Sequence, residues 1–264
     1  MDTVTTEQHN DILIIGINRP DARNAVDPDT ARKLAAAFVA FDEDDALRVA
    51  VFHGVNGTFC AGADLKAVSA DLLQVPEISA PLSPRDDTAP MGPSYLQLSK
   101  PVIGAISGYA VAGGLELALL CDMRVVESSA VFGVYCRRWG VPLIDGGTVR
   151  LPRTVGMGNA MDMILTGRAV NAEEAKLMGL ANRVVDDGKA LEEAVAIASQ
   201  LARFPQQCLL SDRQSAYEQW NLSFAEAIAN ENRLGRAVIA SGETVTGATR
   251  FANGKGRGGT FDNI

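Results

Sequence analysis

The sequence predicts an α/β fold followed by an all-helical C-terminal region. Three observations carry this. Short apolar, β-branched runs alternate with amphipathic helical segments as far as Val185. Glycines and the Asn56-Gly57 pair punctuate the junctions between them. Beyond Pro205 no strand candidate of any strength remains. Strand–helix–strand order of this kind implies parallel, right-handed crossovers.

Taken in order, the first strand is Ile12–Ile17, a continuous apolar run closed by Asn18-Arg19-Pro20. Asp27-Pro28 starts a helix: the aspartate side chain accepts an orphan N–H, and proline at the first helical position has none to lose. Ala31, Leu34, Ala35, Phe38 and Phe41 then keep helical spacing. Residues 49–52 form a second strand, ended by Gly54 and Asn56-Gly57. The pattern repeats with a strand at 102–106, a helix at 114–120 and a strand at 124–126. Asn171-Ala172-Glu173-Glu174 has the form of a capping box, and Gly179 is placed to stop that helix. A last short strand falls at 184–185. The amphipathic helix at 190–204 carries Leu191, Val195, Ala198 and Leu201 on one face and is ended by Pro205. Residues 206–250 read as helical throughout, most clearly at 224–239. The chain therefore divides into an α/β core, 1–195, and a helical region, 196–264. Apolar faces on such an extension pack on a neighbour or on the core, which points to an oligomer.

Residues 72–93 contain Pro76, Pro81, Pro84, Pro90 and Pro93, with Pro101 just beyond. This is a loop too long to be a simple connection. It reads either as a lid over a substrate or as a tolerated surface insertion.

Composition narrows the function classes. The chain has 264 residues, 47% hydrophobic and 21% charged, with a net charge of −8. An acidic chain repels a polyanion, so nucleic acid is excluded as a partner. The tail offers a local basic cluster: Arg250, Lys255 and Arg257. The cysteines, Cys60, Cys121, Cys136 and Cys208, form no C-x-x-C pair, and the only histidines are His9 and His53. No metal site is expected. Reduced thiols in a cytoplasm are the plain expectation. Met1 to Asp11 is polar and acidic, unlike a signal peptide. Residues 102–121 carry a single charge, Glu116, but Gly104, Gly108, Gly113 and Gly114 interrupt them. They read as a buried strand, turn and helix rather than a membrane span.

Two segments carry candidate chemistry. In Phe59-Cys60-Ala61-Gly62-Ala63-Asp64-Leu65-Lys66, small residues after a tight turn let a ligand approach the backbone. In Ile106-Ser107-Gly108-Tyr109-Ala110-Val111-Ala112-Gly113-Gly114-Leu115-Glu116, a strand meets a helix start, whose unpaired N–H groups favour an anion. Two such donors converging on one oxygen make an oxyanion hole. On this segment alone, close helix packing explains the glycines equally well. Glu116 stands in the first turn of a helix otherwise made of Leu117, Ala118, Leu119 and Leu120. A carboxylate buried there is costly. It is either a general base or acid or a structural partner of the helix dipole.

Together these segments resemble the enoyl-CoA hydratase/isomerase (crotonase) family. The resemblance spans nearly the whole chain: Asn18-Arg19-Pro20 with Asn24-Ala25, Phe59 to Lys66, Gly108-Tyr109-Ala110, Gly113 to Ala118, and Cys121-Asp122. It continues through Phe132-Gly133, Gly146-Gly147, Leu165-Thr166-Gly167 and Gly179-Leu180. It implies a crotonase-like spiral of strand-strand-helix repeats with a helical trimerisation region, assembled as a homotrimer or a dimer of trimers. It implies an enzyme acting on an acyl-CoA thioester, with no cofactor beyond the coenzyme A that the substrate carries. Ala63 and Gly113 would supply the oxyanion-hole N–H groups and Glu116 would move a proton. Ala22, Arg23, Ala61, Asp64, Leu65 and Lys66 fall where the family contacts coenzyme A. Lys255 and Arg257 resemble phosphate contacts made across a subunit interface.

The pattern breaks at one position. The family's hydratases use two glutamates; one matches Glu116, and the other position holds Cys136. A neutral thiol is a poor activator of water, so Cys136 reads as a packing residue rather than a nucleophile. Asp145, beside Gly146-Gly147, is placed either to replace the missing carboxylate or to cap the next helix. Arg137 and Arg138 are placed to attract a carboxylate or phosphate. Two functions stay open: an enolate-forming hydratase or isomerase, favoured by Glu116, and a non-catalytic acyl-CoA binder, favoured by Cys136.

Overall fold

The structure, a computed structural model, describes residues 2–68, 83 and 85–260. The chain packs as two units, Met1–Ala198 and Ser199–Ile264.

The first unit begins with β1 (Val4–His9) and β2 (Ile12–Ile17), then α1 (Pro28–Glu43), β3 (Val49–Gly54) and the single turn α2 (Leu65–Val68). It continues with β4 (Val102–Ile106), β5 (Tyr109–Val111), α3 (Gly113–Leu120), β6 (Met123–Glu127) and β7 (Val131–Gly133). The remaining elements are α4 (Gly147–Thr166), β8 (Val170–Asn171), α5 (Ala172–Leu177), β9 (Arg183–Val185) and α6 (Ala190–Arg203), which runs into the second unit. The second unit adds α7 (Gln206–Glu218), α8 (Phe224–Ala240) and α9 (Glu243–Ala252).

The larger sheet has the order β1-β2-β3-β4-β6-β9, parallel except for the β1–β2 hairpin. A smaller, separate sheet has the order β5-β7-β8, with β5 parallel and β8 antiparallel to β7. Successive strand-strand-helix turns thus build a spiral. Isolated parallel bridges, Cys60 to Ala110 and Val26 to Ala63, link the intervening loops laterally. The core is apolar side chains from β2, β3 and β4 packed on α1 and α3. Phe52 lies edge-on to both Phe38 and Phe59, with centroids 5.1 Å apart in each pair. Each such buried ring contributes roughly 1.5–3 kcal/mol through removal of apolar area from water.

Most elements fall where the sequence places them, and the exceptions have physical causes. β1 is an edge strand exposed at every position but Val4, so its apolar pattern is absent. β5 and β7 are three residues each, too short to show a period. The capping box at α5 is only half closed. Asn171 accepts the Glu174 N–H, but the Glu174 carboxylate is taken by the Arg168 fork at 2.8 and 2.5 Å. A charged bidentate partner outcompetes a single neutral N–H. Among the described residues, no helix is long and apolar enough to cross a membrane.

Candidate active site

The site begins where two loops meet beside β5. Cys60 pairs with that strand: its N–H donates to Tyr109 O at 2.8 Å and its carbonyl accepts from Val111 N–H at 3.1 Å. Three residues later the chain pairs with Val26. The Val26 N–H donates to Gly62 O (2.9 Å), and its carbonyl accepts from Asp64 N–H (2.8 Å). Those partners flank Ala63, so the alternation of a parallel ladder turns the Ala63 N–H to the opposite edge. There it has no acceptor among the described residues.

The second donor comes from the start of α3. Ala112 has φ 54 and ψ −126, a conformation that costs a non-glycine residue roughly 1–3 kcal/mol. Its N–H is anchored to Gly133 O at 2.9 Å. This sharp turn exposes Gly113 N–H, which also lacks an acceptor among the described residues. The two donor segments touch at Gly62, where φ is +99 and an added Cβ would lie 3.1 Å from Gly113 N. Only glycine lets them come this close.

Glu116 is one turn into α3 and 2% exposed. Its Oε1 accepts from Asp145 N–H at 2.9 Å and Gly147 N–H at 2.8 Å, while among the described residues Oε2 has no hydrogen-bond donor. A Cβ on Gly147 would fall 2.8 Å from Oε1, so glycine is what admits the carboxylate to the start of α4. Burial pushes the Glu116 pKa up to about 7, and the Asp145 charge adds to the rise. The two N–H donors and Arg150 oppose it. The result is a carboxyl group able to give and take a proton near neutrality.

Asp145 is 3% exposed. The structure corrects the helix-cap reading: the N-cap of α4 is Gly146, with φ 92 and no side-chain cap. The Asp145 carboxylate instead accepts from Met91 N–H at 2.9 Å and Ser94 Oγ–H at 2.5 Å. Burial raises its pKa, and Ser94, Met91 and Arg150 hold the rise back. Arg150 donates to Ser94 O at 2.7 Å and Asp145 O at 3.2 Å, and Tyr95 Oη–H donates to Ile144 O at 2.6 Å. Residues 91–95 are therefore a fixed wall of the site. Residues 72–82 and 84 of the proline-rich loop lie outside the described residues. Met91, Ser94, Arg150 and the turn at Ala112 carry no sequence pattern that marks them, and the wall begins within the proline-rich stretch.

Cys136 is 8% exposed on a 3-10 turn, Tyr135–Trp139. Burial raises its thiol pKa, and the nearby Glu116 charge raises it further, so it stays neutral. Arg137 and Arg138 are exposed. They donate to Ile164 O and Gly167 O at the end of α4, where cations are favoured.

The segments expected to meet coenzyme A lie side by side, since Ala61 N–H donates to Arg23 O at 3.1 Å. Arg23, Leu65 and Lys66 are exposed, and Ala22 and Ala61 are half-buried. The Asp64 side chain is already engaged, with Arg19 at 3.0 Å and Lys66 N–H at 3.2 Å. Lys255 and Arg257 are exposed in the second unit.

Residues 7–256 match a family described as enoyl-CoA hydratase/isomerase. A probable enoyl-CoA hydratase of Rhizobium meliloti is 34% identical over 250 residues, covering 95% of each chain. A crystal structure of an enoyl-CoA hydratase from Mycobacterium tuberculosis matches with TM-score 0.85 and 34% identity, covering 95% of this chain and 96% of that one. One from Bacillus anthracis gives TM-score 0.86 at 27% identity, covering 96% of both.

Proposed function

Because the chain belongs to the enoyl-CoA hydratase/isomerase family, we propose that it adds water across the 2,3-double bond of a 2-enoyl-CoA thioester through an enolate. The observation that carries this is the juxtaposition of two N–H groups without an acceptor among the described residues, Ala63 and Gly113, with a buried carboxyl group of raised pKa, Glu116. The thioester oxygen accepts from both N–H groups. As the water oxygen bonds to C3 it loses a proton to Glu116, and the double-bond electrons move onto the thioester oxygen. Collapse of that enolate takes a proton at C2, either the one Glu116 has just received, which regenerates its carboxylate, or one given by protonated Asp145, with the Glu116 proton then restoring Asp145 through solvent. Loss of one oxyanion donor costs about 10²–10³ in rate in comparable sites. Asp145 is the second carboxylate of the site in place of the residue replaced by Cys136, and it acts either on the second proton or on the Glu116 pKa. Ala22, Arg23, Ala61, Leu65 and Lys66 line the coenzyme path. Coenzyme A enters and leaves with the substrate, so the reaction needs no other cofactor. Four unpaired thiols fit a reducing, cytoplasmic setting, and the helical second unit fits a homotrimer or a dimer of trimers.

Isomerisation is the second reading. It is favoured by Asp145, whose donors already hold one oxygen, leaving Glu116 as a single carboxyl able to carry a proton between two carbons. Crotonyl-CoA in D₂O separates the two. Hydration removes the conjugated enoyl absorbance and places deuterium at the α-carbon. Inertness toward crotonyl-CoA, with conversion of a 3-enoyl-CoA into the conjugated isomer, would establish isomerisation instead. Binding of both thioesters with turnover of neither would return the non-catalytic reading.

A further inference from the structure

We infer that the Arg19–Asp64 ion pair positions the oxyanion hole: it fixes the Ala63 N–H on the thioester oxygen without itself touching substrate. The inference rests on the oxyanion reading of Ala63 and Gly113. Ala63 sits on a short link between Cys60, which is paired to β5, and α2, a helix of one turn. Nothing in the local sequence stiffens this link, since alanines and a glycine dominate it. Its rigidity comes from the segment opposite, residues 19–26.

Arg19 organises that segment. Its backbone N–H donates to Asn24 Oδ1 at 2.8 Å, and its carbonyl accepts from Ala22 and Asn24 N–H at 3.0 and 2.9 Å. Its guanidinium reaches Ala25 O through one nitrogen. The other lies 3.0 Å from an oxygen of Asp27, the N-cap of α1, and 3.0 Å from Asp64 Oδ2. The remaining Asp64 oxygen takes Lys66 N–H. Both oxygens of the residue directly after Ala63 are therefore tied, one to the frame of α1 and one to α2. The Val26 bridge fixes the peptides on either side.

A partly exposed ion pair adds little to stability, so its worth here is geometric. Misplacing a catalytic donor by about 1 Å costs on the order of a hundredfold in rate. Lysine cannot reproduce the fork, which reaches three acceptors through two nitrogens. This role also explains why an anionic residue stands in a path for a phosphorylated coenzyme: its charge is spent on Arg19.

The test uses butyryl-CoA carrying carbon-13 at the thioester carbonyl, bound to the wild-type protein, Arg19→Lys and Asp64→Asn. Isotope-edited infrared spectra read the carbonyl stretch, and crotonyl-CoA turnover is measured beside it. The wild type is expected to lower the stretch relative to free ligand. In both variants the stretch returns toward the free value and kcat falls roughly ten- to a hundredfold, while butyryl-CoA binds about as tightly. A wild-type stretch retained in the variants overturns the inference. If binding also weakens in that case, Asp64 is a coenzyme contact. A wild type that leaves the stretch unmoved removes the oxyanion reading itself, and the positioning role with it. Should Arg19→Lys fail to fold, Asp64→Asn decides alone, because asparagine keeps the acceptor for Lys66 N–H.

Discussion

The two ends of α3 each bury a charged side chain, and they do so in opposite ways. Just beyond its C-terminus, Arg124 is 5% exposed and every guanidinium nitrogen is used. Nε donates to Leu180 O at 2.6 Å, Nη1 to Cys121 O at 2.7 Å, and Nη2 to Asn182 Oδ1 at 3.4 Å. A cation at the negative end of a helix, with its hydrogen bonds complete, is at rest. At the N-terminal end, Glu116 is as deeply buried and also meets a favourable dipole. Yet among the described residues only one of its oxygens is bonded, and a second carboxylate, Asp145, stands close enough to repel it. The same burial that fixes Arg124 leaves Glu116 with a proton it can exchange. On the proposed reading of the site, burial with incomplete satisfaction marks the charge placed to exchange a proton, and burial with full satisfaction marks the structural one.

The largest effect that would sharpen this contrast is Glu116→Gln. Turnover should fall by roughly 10²–10⁴, the usual share of a general base, while substrate still binds. Stability should move the other way. The folded carboxyl has a pKa of about 7 against a reference of 4.5. The folded state thus binds the proton more tightly, and the wild type loses stability as pH rises from about 4.5 to 7. The loss is on the order of 3 kcal/mol. Glutamine has no such loss, so the variant should melt above the wild type at pH 8, with the gap narrowing toward pH 5. Equal melting at both values would place Glu116 among the resting charges. Arg124→Leu tests the other end. It orphans the carbonyls of Leu180 and Cys121 and should cost about 3 kcal/mol in urea unfolding. Activity below the transition should hold, and a selective loss of kcat would break the comparison.

Asp145→Asn should have a smaller, directional effect. The groups acting on Glu116 are Asp145, Arg150 and the N–H donors of Gly147 and Asp145. Removing the Asp145 charge removes a cause of the raised Glu116 pKa, so the acid limb of the kcat/KM profile should move to lower pH. A limb that stays in place while kcat collapses would assign Asp145 the second proton instead.

Glu116 was legible in the sequence because one charge in an apolar helix violates the pattern around it. The two segments proposed to form the oxyanion hole were legible because close backbone approach demands small residues in a row. Arg124 and the 91–95 wall were not, since their roles come from carbonyls and side chains distant in the chain: Leu180 for the one, Asp145 for the other. Asp145 itself was ambiguous because an aspartate before Gly-Gly signals a cap, and only the fold shows Gly146 taking that place. β1 escaped because an edge strand needs partners rather than an apolar face.

The smallest effect belongs to Cys136, and it asks whether proximity to Glu116 is enough to make a residue work. The thiol packs with the core, and ionising it beside Glu116 would put two negative charges in one apolar site. Cys136→Ala therefore removes one buried sulfur and leaves the proton chemistry intact. It should lower stability by about 1 kcal/mol through the small cavity, with kcat and its pH dependence unchanged. A large fall in kcat at undiminished stability would mean that the thiol itself takes part, and the contrast drawn along α3 would have to include a neutral partner beside the working carboxyl.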